Sequence, residues 1–137
     1  MKSFVEFLME QLNLEKVFIV VKPGSLDHTQ AILELFEDNG WKVCNTTTKT
    51  LLLDEAKQLY AVHKDEDFYD SLCEYMSSGP CRAFIIGKAN SMKPFEEVAK
   101  IKDEIREKYG ESDMRNVLHS SDSAENMEHE ASIFFQV

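Results

Sequence analysis

The sequence is short of positive charge, of paired cysteines and of long apolar runs, and each shortage removes a class of function. Fifteen Lys and Arg stand against 25 Asp and Glu, for a formal charge of −10. Such an average field disfavours wholesale binding to nucleic acid or an anionic membrane, although a few converging cations can still hold a small anion. The three cysteines, Cys44, Cys73 and Cys81, are odd in number and form no Cys-x-x-Cys pair. They read as reduced, mostly buried thiols of a cytosolic protein. No apolar run approaches the ~18 residues of a membrane span. The opening Met1-Lys2-Ser3-Phe4 meets Glu6 and Glu10 at once, unlike a signal peptide. The expectation is a soluble, cytoplasmic protein with no nucleic-acid and no membrane partner.

Several chemical signatures are missing too. The four histidines, His28, His63, His119 and His129, never stand four apart, and no His-Glu-x-x-His or paired Cys/His spacing occurs, which argues against a zinc site. Ser121 and Asp122 beside His119 lack the Gly-x-Ser-x-Gly elbow of a hydrolase. No Gly-x-x-x-x-Gly-Lys loop is present. Any phosphate chemistry must therefore rest on side chains.

What is there is one domain's worth of alternating elements. The chain has 137 residues and is 43% hydrophobic, enough for a single core. Phe4, Leu8 and Leu12, spaced by four, predict an amphipathic helix over 3–12. Lys16 to Lys22 reads as a buried strand ended by Pro23-Gly24. Asp27 can cap a helix with Ile32, Leu35 and Phe36 on its core face, ending at Asn39-Gly40. A second strand is expected from Trp41 to about Leu51, with Val43, Asn45, Thr47 and Lys49 on one face. Helices follow from Asp54 to Tyr60 and from about Glu66 to Ser77, the latter with a stripe of Phe68, Leu72, Tyr75 and Met76. Cys81 to Ile86 reads as the third strand and Lys93 to Lys108 as a helix. A short helix is expected over Asp113 to Leu118. Another, capped by Ser123 or Asp122, should run from Ala124 to about His129, and Ile133-Phe134-Phe135 reads as a last strand. The order predicts an α+β fold: a ferredoxin-like split βαβ four-stranded antiparallel sheet with helices covering one face.

His119 is the residue most suited to chemistry. It follows the apolar pair Val117-Leu118 and precedes a run of four small polar residues. A neutral imidazole can attack phosphorus when its other ring nitrogen donates to a fixed acceptor. Glu130, eleven residues on and across the next helix, is a plausible orienter.

From about Val17 to Phe135 the chain resembles the nucleoside diphosphate kinase family. The matching stretches are Val21-Lys22-Pro23, Leu35-Phe36-Glu37 with Gly40, Tyr60, Phe68-Tyr69 with Leu72, Tyr75-Met76-Ser77-Ser78-Gly79-Pro80, Ile105-Arg106, and Arg115-Asn116-Val117-Leu118-His119 to Ser123 with Glu130. The segment around His119 is the family's active-site signature. The resemblance implies a nucleoside diphosphate kinase-like domain over 16–137, which leaves 1–15, with its amphipathic spacing, as an N-terminal helix extension. It implies ping-pong transfer of the terminal phosphate of a nucleoside triphosphate such as ATP to a diphosphate, through a phosphohistidine at His119. Glu130, helped by Ser121, would orient the ring. Lys22, Tyr60, Arg106 and Asn116 would contact phosphates or sugar, and Phe68 with Leu72 would stack on the base. Mg2+ would be held by the nucleotide phosphates, with no direct protein ligand.

Three departures from the family's pattern stand out. Lys22-Pro23-Gly24-Ser25 replaces Lys-Pro-Asp-Gly. The segment from Gly87 to Arg106 is shortened and lacks the arginine and threonine that usually reach the phosphates, leaving Lys88 and Lys93 as possible stand-ins. Asp113 occupies the position of an apolar residue expected to close over the base. The shortening puts a hexamer in doubt and makes a homodimer the expected assembly. It also leaves open a catalytically weak or inactive nucleotide-binding or assembly module, or a purely structural interaction domain.

Overall fold

The computed structural model describes residues 13–135, so the helix expected over 3–12 lies outside the described residues. The elements are strand β1 (Leu14–Val21), helix α1 (Thr29–Asp38), strand β2 (Lys42–Lys49), helices α2 (Leu53–Leu59) and α3 (Tyr69–Met76), strand β3 (Cys81–Ala89), helix α4 (Pro94–Tyr109), strand β4 (Leu118–Ser120) and helix α5 (Ala124–Phe134). Short 3-10 turns at Leu26–His28 and Ala61–His63 introduce α1 and follow α2. The sheet order is β2-β3-β1-β4, with every pairing antiparallel. This is the expected split βαβ sheet.

β1 is central because its residues can be buried on both sides. Val17, Phe18, Ile19, Val20 and Val21 are all fully inaccessible. Period-two alternation sends Val17, Ile19 and Val21 towards α1 and α4, where Ile32, Phe36, Trp41, Val98, Ile101 and Ile105 complete one core. Phe18 and Val20 point the other way, into a second core with Leu59, Tyr60, Leu72, Met76, Ile133 and Phe134 from α2, α3 and α5. Helices therefore cover both faces of the sheet. The one-face expectation is corrected: α2 and α3, inserted between β2 and β3, have their own apolar stripes and need their own side of the sheet.

Two further elements differ from the sequence reading. Ile133-Phe134-Phe135 is not a strand: Ile133 and Phe134 finish α5, and Phe135 is its C-cap. Three consecutive apolar residues carry no periodicity of their own, and Met127, Ala131 and Phe134 at helical spacing decide the matter. The fourth strand is instead Leu118–Ser120, where a short helix over Asp113 to Leu118 was expected. Val117 has φ +78°, a left-handed conformation that a β-branched residue rarely adopts and that no helix can continue through. In β2 the register shifts between Val43, opposite Ile86, and Asn45, opposite Ile85. That bulge at Cys44 puts Val43 and Asn45 on opposite faces, not the shared face that strict alternation implies.

The remaining boundaries follow local chemistry. Asp27 lies within the first 3-10 turn and does not cap α1. Pro94 opens α4, where its missing N–H is no loss. Ser123 caps α5, its hydroxyl accepting from Asn126 N at 3.1 Å. Lys49 fastens β2 to the end of α5 by donating to the Ile133 carbonyl at 2.8 Å while pairing with Glu55 at 2.5 Å.

Candidate active site

Strand register assembles the site. In the β1–β4 pair His119 stands opposite Val20, so its side chain shares the face of Phe18, Val20 and, two residues on, Lys22. α5 then carries Glu130 over that face. His119 Nε2 lies 3.0 Å from Glu130 Oε1, and both side chains are largely buried. A carboxylate has no hydrogen to donate, so this bond makes Nε2 the donor and leaves the Nδ1 lone pair free. The Tyr60 ring meets the imidazole edge-on with centroids 5.5 Å apart, which limits tilting of the ring.

Three cations converge on the same cleft. Lys22, only 4% exposed, donates to Asn116 Oδ1 at 2.6 Å and to the Met114 carbonyl at 3.4 Å. Burial, then the nearby Arg106 and Lys102 charges, lower its pKa from 10.5 to about 7. Arg106 donates from a guanidinium NH2 to the Leu118 carbonyl at 2.9 Å, one residue from His119. Lys102, one turn earlier on α4, lines the cleft beside it. Its pKa is lowered by burial and then by Arg106. It makes no hydrogen bond or ion pair among the described residues. Three like charges with so little neutralisation form a receptor for a polyanion.

The cleft encloses about 690 Å³. Lys22, Lys102, Arg106 and His119 give it a cationic and polar lining, and Val62, Phe68 and Leu72 an apolar one, with His63 beside the Phe68 ring. Phe68 is the N-cap of α3 rather than part of its stripe and is 41% exposed. An aromatic ring left open at a cleft mouth offers a flat surface for a planar ligand. Leu72 beneath it is buried. Within the cleft, the Tyr60 hydroxyl, Arg106 Nε and Glu130 Oε2 are buried with no hydrogen-bond partner among the described residues. Such groups are normally satisfied.

Of the residues singled out from the sequence, the structure brings together His119, Glu130, Lys22, Tyr60, Phe68, Leu72, Arg106 and Asn116. Asn116 is a bridge, accepting from Lys22 and donating from Nδ2 to the Asp113 carbonyl at 2.6 Å. Ser121 is placed differently from expectation. Its hydroxyl accepts from Phe18 N at 3.1 Å and donates to Phe18 O at 3.3 Å, so it pins β4 to β1 and makes no bond to Glu130. Neither Lys88 nor Lys93 reaches the cleft: Lys88 pairs with Glu97 at 3.1 Å, and Lys93 lies on the surface near Glu96 at 3.7 Å. Lys102 is the cation that sequence reasoning missed. It sits in a run of helical charges, and only its i, i+4 relation to Arg106 could have marked it.

Two signature turns buttress this arrangement. Tyr75 donates its hydroxyl to the Pro23 carbonyl at 2.6 Å, and Gly79 packs against Pro23. Gly24 takes the positive φ of +85° that the turn after Lys22 requires.

Among the described residues no group of three or more His, Cys, Asp or Glu is arranged to hold a metal ion, and no helix is long and apolar enough to cross a membrane.

Residues 15–137 match the family model described as nucleoside diphosphate kinase. A nucleoside diphosphate kinase of Salinibacter ruber is 32% identical over 130 residues, covering 88% of this chain and 92% of that protein. One from Chlorobium luteolum is 33% identical over 131 residues, covering 89% and 94%. Among solved structures, an Aquifex aeolicus nucleoside diphosphate kinase superposes with a TM-score of 0.76 at 27% identity, covering 90% of this chain and 96% of that one.

Proposed function

The chain belongs to the nucleoside diphosphate kinase family, and from that premise we propose that it moves the terminal phosphate of a nucleoside triphosphate onto a nucleoside diphosphate by way of His119. The observation that carries this reading is the 3.0 Å bond from His119 Nε2 to Glu130 on the floor of a cationic cleft.

In the first half-reaction the Nδ1 lone pair attacks the terminal phosphorus, the P–N bond forms, and the bond from phosphorus to the bridging oxygen breaks. The diphosphate leaves with that electron pair. Nε2 keeps its proton, held in the bond to Glu130, whose negative charge balances the positive charge that grows on the ring. A second diphosphate then attacks the phosphohistidine along the same line, and Nδ1 recovers its lone pair. Phosphoryl transfer needs positioning and charge neutralisation more than covalent help. Lys22, Lys102 and Arg106 supply it.

Lys102 takes the place of the arginine that the shortened segment lacks. It is a point charge without a planar fork, so it neutralises more than it orients. Asn116 positions Lys22, and Phe68 with Leu72 receives the base. The Tyr60 ring braces the imidazole edge-on, and its hydroxyl, unpartnered in the cleft, is left to meet a phosphate or the sugar. Magnesium would enter as part of the nucleotide, carried on its phosphates beside the cleft's cations. When bound to the phosphates it supplies further neutralisation of the transferring group. A phosphate-exchange assay between ATP and a deoxynucleoside diphosphate tests the reading: wild type exchanges, and His119→Ala does not. Equal exchange by both proteins would refute it.

A further inference from the structure

At the end of β1 away from Lys22, Leu14 and Cys44 join neither core cluster among the described residues. Both are half-buried, and both rest on Gly87. A Cβ on that glycine would meet Cys44 Sγ and the Leu14 side chain at 3.0 Å, so its missing side chain lets the two settle onto β3. Ile85, two residues back on the same face, is half-buried at the margin of the core that α2, α3 and α5 cover. Lys16 and Lys42 stand opposite Gly87 from either side in the strand register, and both are exposed. Burial raises the Cys44 pKa against the pull of these two charges. The result is an apolar strip rimmed by two lysines and laid across β1, β3 and β2.

The chain enters β1 at this strip. Asn13 lies in a turn and Leu14 begins the strand, so residues 1–12 arrive at the edge of the strip with no spacer. Their sequence sets Phe4, Leu8 and Leu12 along one side at helical spacing, flanked by Val5 and Met9, with Glu6 and Glu10 on the side opposite. Twelve helical residues extend about 18 Å and three strands span about 10 Å, so such a segment is long enough to cross all three. Its polar side carries the sign opposite to the rim lysines, whose stems are themselves apolar. A tether of one residue holds it at roughly millimolar local concentration, which no free partner matches.

We propose that residues 1–12 turn back at Asn13 and lie across β1, β3 and β2 as an amphipathic helix, covering Leu14, Cys44 and Ile85 with the stripe of Phe4, Leu8 and Leu12. The strip is then closed by the chain's own N-terminal segment, not by a second copy or another protein. Glu6 and Glu10 stay in solvent, the pattern of a helix lying on a surface. This interaction lies at the far end of β1 from the cleft and holds whether or not the cleft takes a nucleotide.

Cys44 is a built-in reporter, because Cys73 and Cys81 are inaccessible in the folded chain. The full chain is treated with iodoacetamide, a neutral alkylating reagent, and mass spectrometry of the digested protein follows each thiol. Phe4→Asp combined with Leu8→Asp puts two carboxylates on the stripe and is expected to speed Cys44 alkylation about 10-fold. Cys73 and Cys81 should stay unmodified in that variant, which shows that the fold is intact. The wild-type rate should not change on about 100-fold dilution. Equal Cys44 rates in wild type and variant overturn the proposal, since the segment then leaves the strip open. A wild-type rate that rises on dilution also overturns it and assigns the strip to a second copy. Should the double variant expose Cys73 and Cys81, Leu8→Ser makes the same comparison with a milder change: a smaller acceleration at Cys44 alone is expected, and none overturns the proposal.

Discussion

Lys22 Nζ and Asn116 Oδ1, 94 residues apart in the chain, meet at 2.6 Å beneath the cleft. A neutral acceptor does little to offset the burial and the neighbouring Arg106 and Lys102 charges that hold the Lys22 pKa near 7. The consequence for stability has a definite sign. Between about pH 7 and 10.5 the unfolded chain keeps a proton on Lys22 that the folded chain has released, so stability of the nucleotide-free protein rises with pH across that window. The cost of charging Lys22 is felt in full below it. Lys22→Met is expected to flatten this slope in urea titrations run from about pH 7 to 10, and an unchanged slope would contradict the assignment.

Nucleotide binding reverses the balance at Lys22. A phosphate beside Nζ favours the charged form, so binding near pH 8 takes up a fraction of a proton per nucleotide. Calorimetry in buffers of different ionisation enthalpy reads this directly. Proton release, or none, would show that phosphate does not approach Lys22.

Lys102 gives opposite signs in stability and binding. Lys102→Met removes repulsion with Arg106 and is expected to raise the melting temperature of the free protein. It should also cut nucleotide affinity about 10-fold, shrinking the melting shift that nucleotide produces. Lys102→Arg restores the affinity. A fall in both quantities on Lys102→Met would assign the residue a structural part instead.

Glu130→Gln keeps volume and a hydrogen-bond acceptor but loses the charge that balances the ring. Its expected effect is a 10–100-fold slower phosphorylation of the protein, the usual range for a group that orients and tunes another ligand. Nucleotide affinity should hardly change. Stopped-flow with ATP separates the two, and a loss confined to affinity would argue against the orienting role.

Tyr75→Phe deletes the bond to the Pro23 carbonyl and leaves a buried acceptor unpaired. It should destabilise the fold by about 1–2 kcal/mol in urea unfolding. Lys22 immediately precedes this turn, so a smaller loss of nucleotide affinity is expected alongside. No change in either would mean that the turn is held without Tyr75.

Much of this was legible in the chain. Lys16 to Lys22 announced a buried strand, though not that helices would cover both of its faces, and α1, α3 and α4 followed from the spacing of Ile32, Leu72 and Ile101 with their neighbours. His119, Glu130, Lys22 and Arg106 were named from motif and chemistry, and the register of β1 with β4, together with α4 and α5, brings them together. What was not legible depends on tertiary placement. A three-residue strand has too few alternations to announce itself, and the positive φ of Val117 that creates it leaves no mark in residue type. Ser121 has a polar side chain that serves either Glu130 or the β1 backbone, and only its place beside Phe18 decides between them. Lys102 looks like every other lysine on a charged helix until the face it shares with Arg106 is seen against the sheet.

The most direct measurement follows the label. Protein incubated with ATP carrying a labelled terminal phosphate, then freed of nucleotide, should hold acid-labile, base-stable phosphate on Nδ1 of His119 and surrender it when a diphosphate is added. His119→Ala should take up none. Label retained by His119→Ala, found on another residue, or not released to a diphosphate would contradict the account.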